Sequence, residues 1–90
     1  MAPFRKAYAD AKRKGISATT VASTGRYPGG KFPPITVAID ADGTAHLRDG
    51  RHRYTAAREA GAKKILANVI VYGPRGGIVR QEQRVLKLAK

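Results

Sequence analysis

Cysteine is absent from these 90 residues, which excludes disulfides, thiolate metal sites and a cysteine nucleophile. Long apolar runs are absent too. The longest, Ile65 to Tyr72, is short and contains Asn68, and nothing resembles a signal peptide or a membrane span. A cytoplasmic protein with no membrane partner is therefore the expectation. Acids are scarce: six Asp and Glu stand against eighteen Lys and Arg, for a formal net charge of +12. Few general bases are on offer, and so one-sided a charge speaks for a polyanionic partner, nucleic acid before an anionic membrane. A surface built for solubility alone usually mixes both signs. There are only two histidines, His46 and His52, with no familiar zinc spacing. At this length the chain makes one small domain, residues 1–90, with a single modest core.

The most informative stretch is Asp49-Gly50-Arg51-His52-Arg53, followed by Tyr54 to Gly61. It reads as a helix opening. Asp49 suits an N-cap, Gly50 permits a tight turn and a close approach by another molecule, and Gly61 suits a helix stop. Tyr54, Ala57 and Ala60 follow at roughly helical spacing. The first turn of a helix carries free amides and partial positive charge, which suit an anion, phosphate above all. Arg51, His52 and Arg53 add cationic or cationisable groups where helix stability prefers acids, and a broken local rule is expected at functional sites. Asp49 either caps the helix or holds a magnesium ion that bridges to phosphate. His52, as a histidine, is a candidate phosphate donor or general acid. Arg53 suits charge-assisted phosphate binding, so its loss is expected to weaken binding while hardly affecting folding.

Pro3 to Lys14 reads as an amphipathic helix with Phe4, Ala7, Tyr8 and Ala11 on its packed face. Its basic residues Arg5, Lys6, Lys12, Arg13 and Lys14 are candidate nucleic-acid contacts, with Arg26, Lys31 and Arg75 farther on. Ile16 to Thr24 favours extended structure weakly, with a short helix as the alternative. Gly25 to Lys31 fits part of a phosphate-binding P-loop. However, no Ser or Thr follows the lysine, and Pro33 and Pro34 prevent a helix from opening, so a basic loop is expected. Ile35 to Ile39 and Thr44 to Arg48 read as a hairpin joined by Asp40 to Gly43, with Ala45 and Leu47 inward and His46 outward. Ile65 to Tyr72 reads as an interior strand. Strand, helix and strand from Ala45 to Tyr72 then suggest a right-handed crossover. Gly73 to Gly77 breaks the chain, and Ile78 to Ala89 reads as a last amphipathic helix. The expected fold is α/β, a small mixed sheet with packed helices.

The run Pro33-Pro34-Ile35-Thr36-Val37, a glycine-containing turn, the segment DGRHRYTAAREAG and the apolar strand beyond it resemble the ParB/sulfiredoxin superfamily. The likeness covers Phe32 to Val71. The resembling core motif spans 32–72, while residues 1–31, read as a basic helical extension and loop, and the helix read over 78–89 match less clearly. The likeness implies that Gly50, Arg51, His52 and Arg53 form a phosphate cradle, for CTP as in ParB-type domains or for ATP as in sulfiredoxin. Sulfiredoxin carries its catalytic cysteine where this chain has Arg51, so sulfinic-acid reduction is excluded. Gln81-Glu82-Gln83-Arg84 matches only faintly the acidic-Asn-x-Gln-Arg helix that follows in ParB-type domains, and there is no room for a helix-turn-helix DNA reader. The resemblance thus implies a stand-alone nucleotide-binding domain acting with DNA. Asp49 and His52 would serve an NTP hydrolase, phosphotransferase or ParB-like nuclease. The alternative is a non-catalytic module that grips nucleic-acid backbone with the same turn.

Overall fold

The computed structural model describes residues 3–88. Its elements are α1 (Pro3–Arg13), α2 (Ala18–Thr24), β1 (Arg26–Tyr27), β2 (Gly30–Lys31), β3 (Ile35–Ile39), β4 (Ala45–Asp49), α3 (Arg51–Glu59), β5 (Lys64–Tyr72) and β6 (Ile78–Lys87). Four strands form a mixed sheet in the order β4-β3-β5-β6, and β1 and β2 make a separate two-stranded ribbon. This is a small α/β domain with three helices, as the sequence pattern predicts at the level of class.

The packed face of α1 is the expected one, with Ala7, Tyr8 and Ala11 buried. Ala56 and Ala57 of α3 are buried as well, and α1 and α3 lie against each other. Small side chains on both helices allow that close approach. On β5, Ile65, Ala67 and Val69 are buried at every second position, the period of a strand with one face on the core. Tyr8, Ile35 and Ile65 are the bulkier members of the core, and alanine fills much of the rest. An aromatic cluster closes one end: the Phe32 ring lies 5.1 Å from Phe4, 6.0 Å from Tyr8 and 4.6 Å from Tyr27. These separations fall in the favourable range for aromatic pairs.

Four expectations need correction. Ile16 to Thr24 is helical over Ala18–Thr24. Ser17 accepts from the Thr20 amide at 3.1 Å, and the Gly25 amide donates to the Val21 carbonyl at 2.8 Å. Capping at both ends and burial of Val21 and Ala22 outweigh the weak strand preference of Thr and Val. Ala45 is exposed rather than inward, because β4 is an edge strand and only Leu47 is partly covered.

The crossover is also different. β3 is the parallel neighbour of β5, with Ile35 beside Ala67 and Ile39 beside Val71, and it lies between β4 and β5. The connection that matters therefore runs from β3 through β4 and α3 to β5. Finally, Ile78 to Lys87 is strand β6, paired antiparallel with β5 from Lys64–Lys87 to Tyr72–Ile78. Ala89 of the expected helix lies outside the described residues. The turn before it decides the matter: Gly73 donates to the Gly77 carbonyl at 2.8 Å and Gly76 to the Gly73 carbonyl at 3.0 Å, folding the chain back along β5. An apolar strand with an open edge then overrides the helix preference of Gln, Glu, Arg, Leu and Lys.

Candidate functional site

The segment Asp49 to Arg53 does form a strand-to-helix turn, but with different local chemistry from that expected. Asp49 is the last residue of β4 and does not cap α3. The cap position belongs to Gly50, in left-handed conformation with φ 95° and ψ 27°, and no side chain bonds the first turn. The first intrahelical bond runs from the Tyr54 amide to the Gly50 carbonyl at 2.8 Å. The amides of Arg51, His52 and Arg53 precede it and have no acceptor within the helix. Glycine is required at position 50: a Cβ would lie 2.6 Å from Ile35 Cγ2 and 3.0 Å from Arg53 Nη2.

A cavity of about 380 Å³ opens at this turn, lined by Phe4, Pro33, Leu47, Arg48, Asp49, Gly50, Arg51, His52 and Arg53. The five residues singled out in the sequence are thus brought together around one opening. Four further lining residues come from the fold. Phe4 arrives from α1 and Pro33 from the segment before β3. Arg48 is positioned by a β-bulge: Thr36 pairs with Asp49 and Val37 with Leu47, which leaves Arg48 as the extra residue of β4. Bulges commonly re-aim side chains beside functional sites. In the sequence Arg48 is only the last residue of an expected strand, and only the adjacent Asp-Gly could have drawn attention to it.

The cationic groups divide by environment. Arg51 and His52 are exposed. Arg53 is not: its side chain is only 12% exposed. Its Nη1 donates to the Pro33 carbonyl at 2.7 Å and, more weakly, to the Pro34 carbonyl at 3.4 Å, while Nη2 reaches Asp49 Oδ2 at 3.3 Å. Arg53 therefore ties the start of α3 to the chain that enters β3 while lining the cavity. Asp49 is 76% exposed and is the one carboxylate among the lining residues. Among the described residues no group of three or more His, Cys, Asp or Glu could hold a metal. A magnesium ion here would draw on Asp49 alone and take its other oxygens from phosphate and water, which is a usual arrangement for that ion. Glu82 lies in β6 and does not line the cavity.

The other basic positions are not among the residues that line the cavity. Arg5 forms two 2.9 Å bonds with Glu59 of α3, and Arg13 pairs with Asp10. Lys6, Lys12 and Lys14 are exposed on or just after α1, and Arg26 and Lys31 face each other across the β1–β2 ribbon. Arg75 sits in the β5–β6 turn, beyond the level of Ile39 and Val71, whereas the cavity lies at the Ile35 end of β3. The two are on the order of 25 Å apart by strand rise. His46 is exposed as expected and meets Asp40 Oδ2 at 2.7 Å. No helix among the described residues is long and apolar enough to cross a membrane. The chain matches no protein-family model, no curated protein and no solved structure.

Proposed function

We propose that this domain binds phosphate groups in the cavity at the β4–α3 turn, as a nucleotide-binding, ParB-like domain that acts with DNA. One observation carries the reading: Arg48 on its bulge and the exposed Arg51 and His52 line one opening together with the first turn of α3, whose three leading amides have no acceptor within the helix. Preorganised amides and guanidinium groups are what a phosphate oxygen requires. The cavity volume lies near the lower end of the range for small-molecule sites, enough for a phosphate chain with part of its nucleoside exposed. The resemblance of Phe32 to Val71 to the ParB/sulfiredoxin superfamily supports the same turn and favours CTP or ATP as ligand.

Each residue has a distinct part. Arg51 and Arg48 carry charge to the mouth, His52 donates to a phosphate oxygen or transfers a proton there, and the free amides fix the oxygens. Arg53 holds the turn in shape from below. When bound, magnesium would neutralise phosphate charge beside Asp49, and Asp49 would otherwise repel the ligand. Turnover, as NTP hydrolysis, phosphotransfer or nuclease action, rests on Asp49 and His52. With a single carboxylate at the opening, a non-catalytic module gripping DNA or RNA backbone is the second reading.

The deciding experiment is equilibrium binding of the four NTPs, with and without magnesium, to the parent and to Arg51→Ala. Binding of one or more NTPs that weakens on the substitution supports the nucleotide reading. No NTP binding, with retained binding of DNA that Arg51→Ala weakens, selects the module. If neither ligand responds to Arg51, the site is refuted. Divalent-dependent hydrolysis or plasmid nicking that disappears in Asp49→Asn and His52→Ala assigns catalysis.

A further inference from the structure

Strand β6 is the outer strand of the sheet, and among the described residues its second edge has no partner. It is 10 residues long, well above the usual strand length. Such an edge presents a row of unpaired amides and carbonyls to any further strand. Among the described residues, the three prominently exposed large hydrophobics all lie on it: Ile78 at 55%, Val79 at 67% and Val85 at 48%. Between them, Arg80, Glu82 and Arg84 share one face, opposite Val71, Val69 and Ala67 of β5. Strand β5 thus gives these charges no counter-charge. Within β6 itself, Glu82 Oε2 meets Arg84 Nε at 3.2 Å. The opposite sheet edge is a poorer template, since β4 has only 5 residues and carries the Arg48 bulge.

We infer that β6 pairs with β6 of a second copy of this chain, antiparallel, about a two-fold axis at Gln83. The charge pattern selects both partner and register. With the axis at Gln83, Glu82 stands opposite Arg84 of the second copy and Arg84 opposite its Glu82. The ion pair within each strand becomes half of a closed set of four alternating charges. Gln83 meets Gln83, whose amides both donate and accept, and Val85 lies against the stem of Gln81. Moving the axis one residue to Glu82 sets Glu82 against Glu82 and Arg80 against Arg84, and directly opposed like charges are destabilising. In the Gln83 register the helices of both copies lie on one side of a continuous sheet, leaving the α3 cavities at its outer ends.

The test is sedimentation of the full chain across concentrations, for the parent, Glu82→Arg, Arg84→Glu and the double exchange. These positions are partly or fully exposed, so folding is expected to persist and is checked by circular dichroism. The expected result is a concentration-dependent dimer. Each single reversal opposes like charges twice, weakening the dimer about tenfold, and the double exchange returns it to near the parent value. In this cysteine-free chain, Gln83→Cys should also give a disulfide-linked dimer on mild oxidation while Arg80→Cys does not. A monomer at millimolar concentration, a dimer indifferent to the reversals, or a double exchange no better than the singles overturns the inference.

Discussion

Arg53→Ala is expected to destabilise the fold, contrary to what the sequence alone implies. In the sequence Arg53 is a cation at the positive end of a helix, where its removal looks harmless or helpful. In the structure Nη1 donates to the Pro33 carbonyl at 2.7 Å from a side chain only 12% exposed. A hydrogen bond to a charged group contributes about 1.5–3 kcal/mol, and its loss leaves a carbonyl to find other partners. The 3.4 Å contact to Pro34 is too long to add much. The 3.3 Å pair with Asp49 has a partner 76% exposed, and exposed pairs contribute about 0–1 kcal/mol. Relief of charge at the helix start returns roughly 0.3–1 kcal/mol. The net loss is about 2 kcal/mol. For a domain of this size that is roughly 8–16 °C in Tm. Thermal and urea melts of Arg53→Ala, Arg53→Lys and Asp49→Asn check it. Lysine should recover part of the loss, having charge but no planar fork, and Asp49→Asn should cost less than about 1 kcal/mol. A Tm for Arg53→Ala within about 2 °C of the parent, or an equal fall in Asp49→Asn, refutes the tie between Arg53 and the Pro33 carbonyl.

Gly50→Ala should lose about 2–4 kcal/mol in urea melts, because φ 95° strains any side chain and the new Cβ would press on Ile35 Cγ2 at 2.6 Å. Burial pushes the Tyr8 phenol up to about 12. The folded chain then keeps a proton that the unfolded chain releases from about pH 10. That stability is complete below pH 10 and falls by about 2–3 kcal/mol as pH rises to 12, so melts of Tyr8→Phe across this window should lack that part of the decline. Nucleic-acid affinity should fall steeply with salt, about 0.9 in logarithmic slope per duplex phosphate neutralised. Arg51→Ala and Arg48→Ala should each reduce the slope by about one without changing Tm. A flat salt titration would refute backbone binding.

Local chemistry sufficed where the signal was local. The stripe Ala7, Tyr8 and Ala11 follows from helical spacing, the interior position of β5 from an apolar run between turns, and the strand-to-helix turn from Asp49-Gly50 before an alanine-rich segment. The rejection of a P-loop at Gly25 to Lys31 also followed from the prolines after it, and that stretch contains only the short β1–β2 ribbon. What the sequence misjudged or missed depended on partners distant in the chain. β6 is a strand because β5 offers it an edge, although its residues favour helix. Arg48 lines the cavity because of a bulge set by the β3–β4 register. Arg53 is a tie rather than a free cation because the Pro33 carbonyl lies within its reach. Sequence periodicity records which face of an element is apolar, but pairing register and the nearest carbonyl are properties of folded neighbours. Those neighbours decided which charges were left facing the cavity.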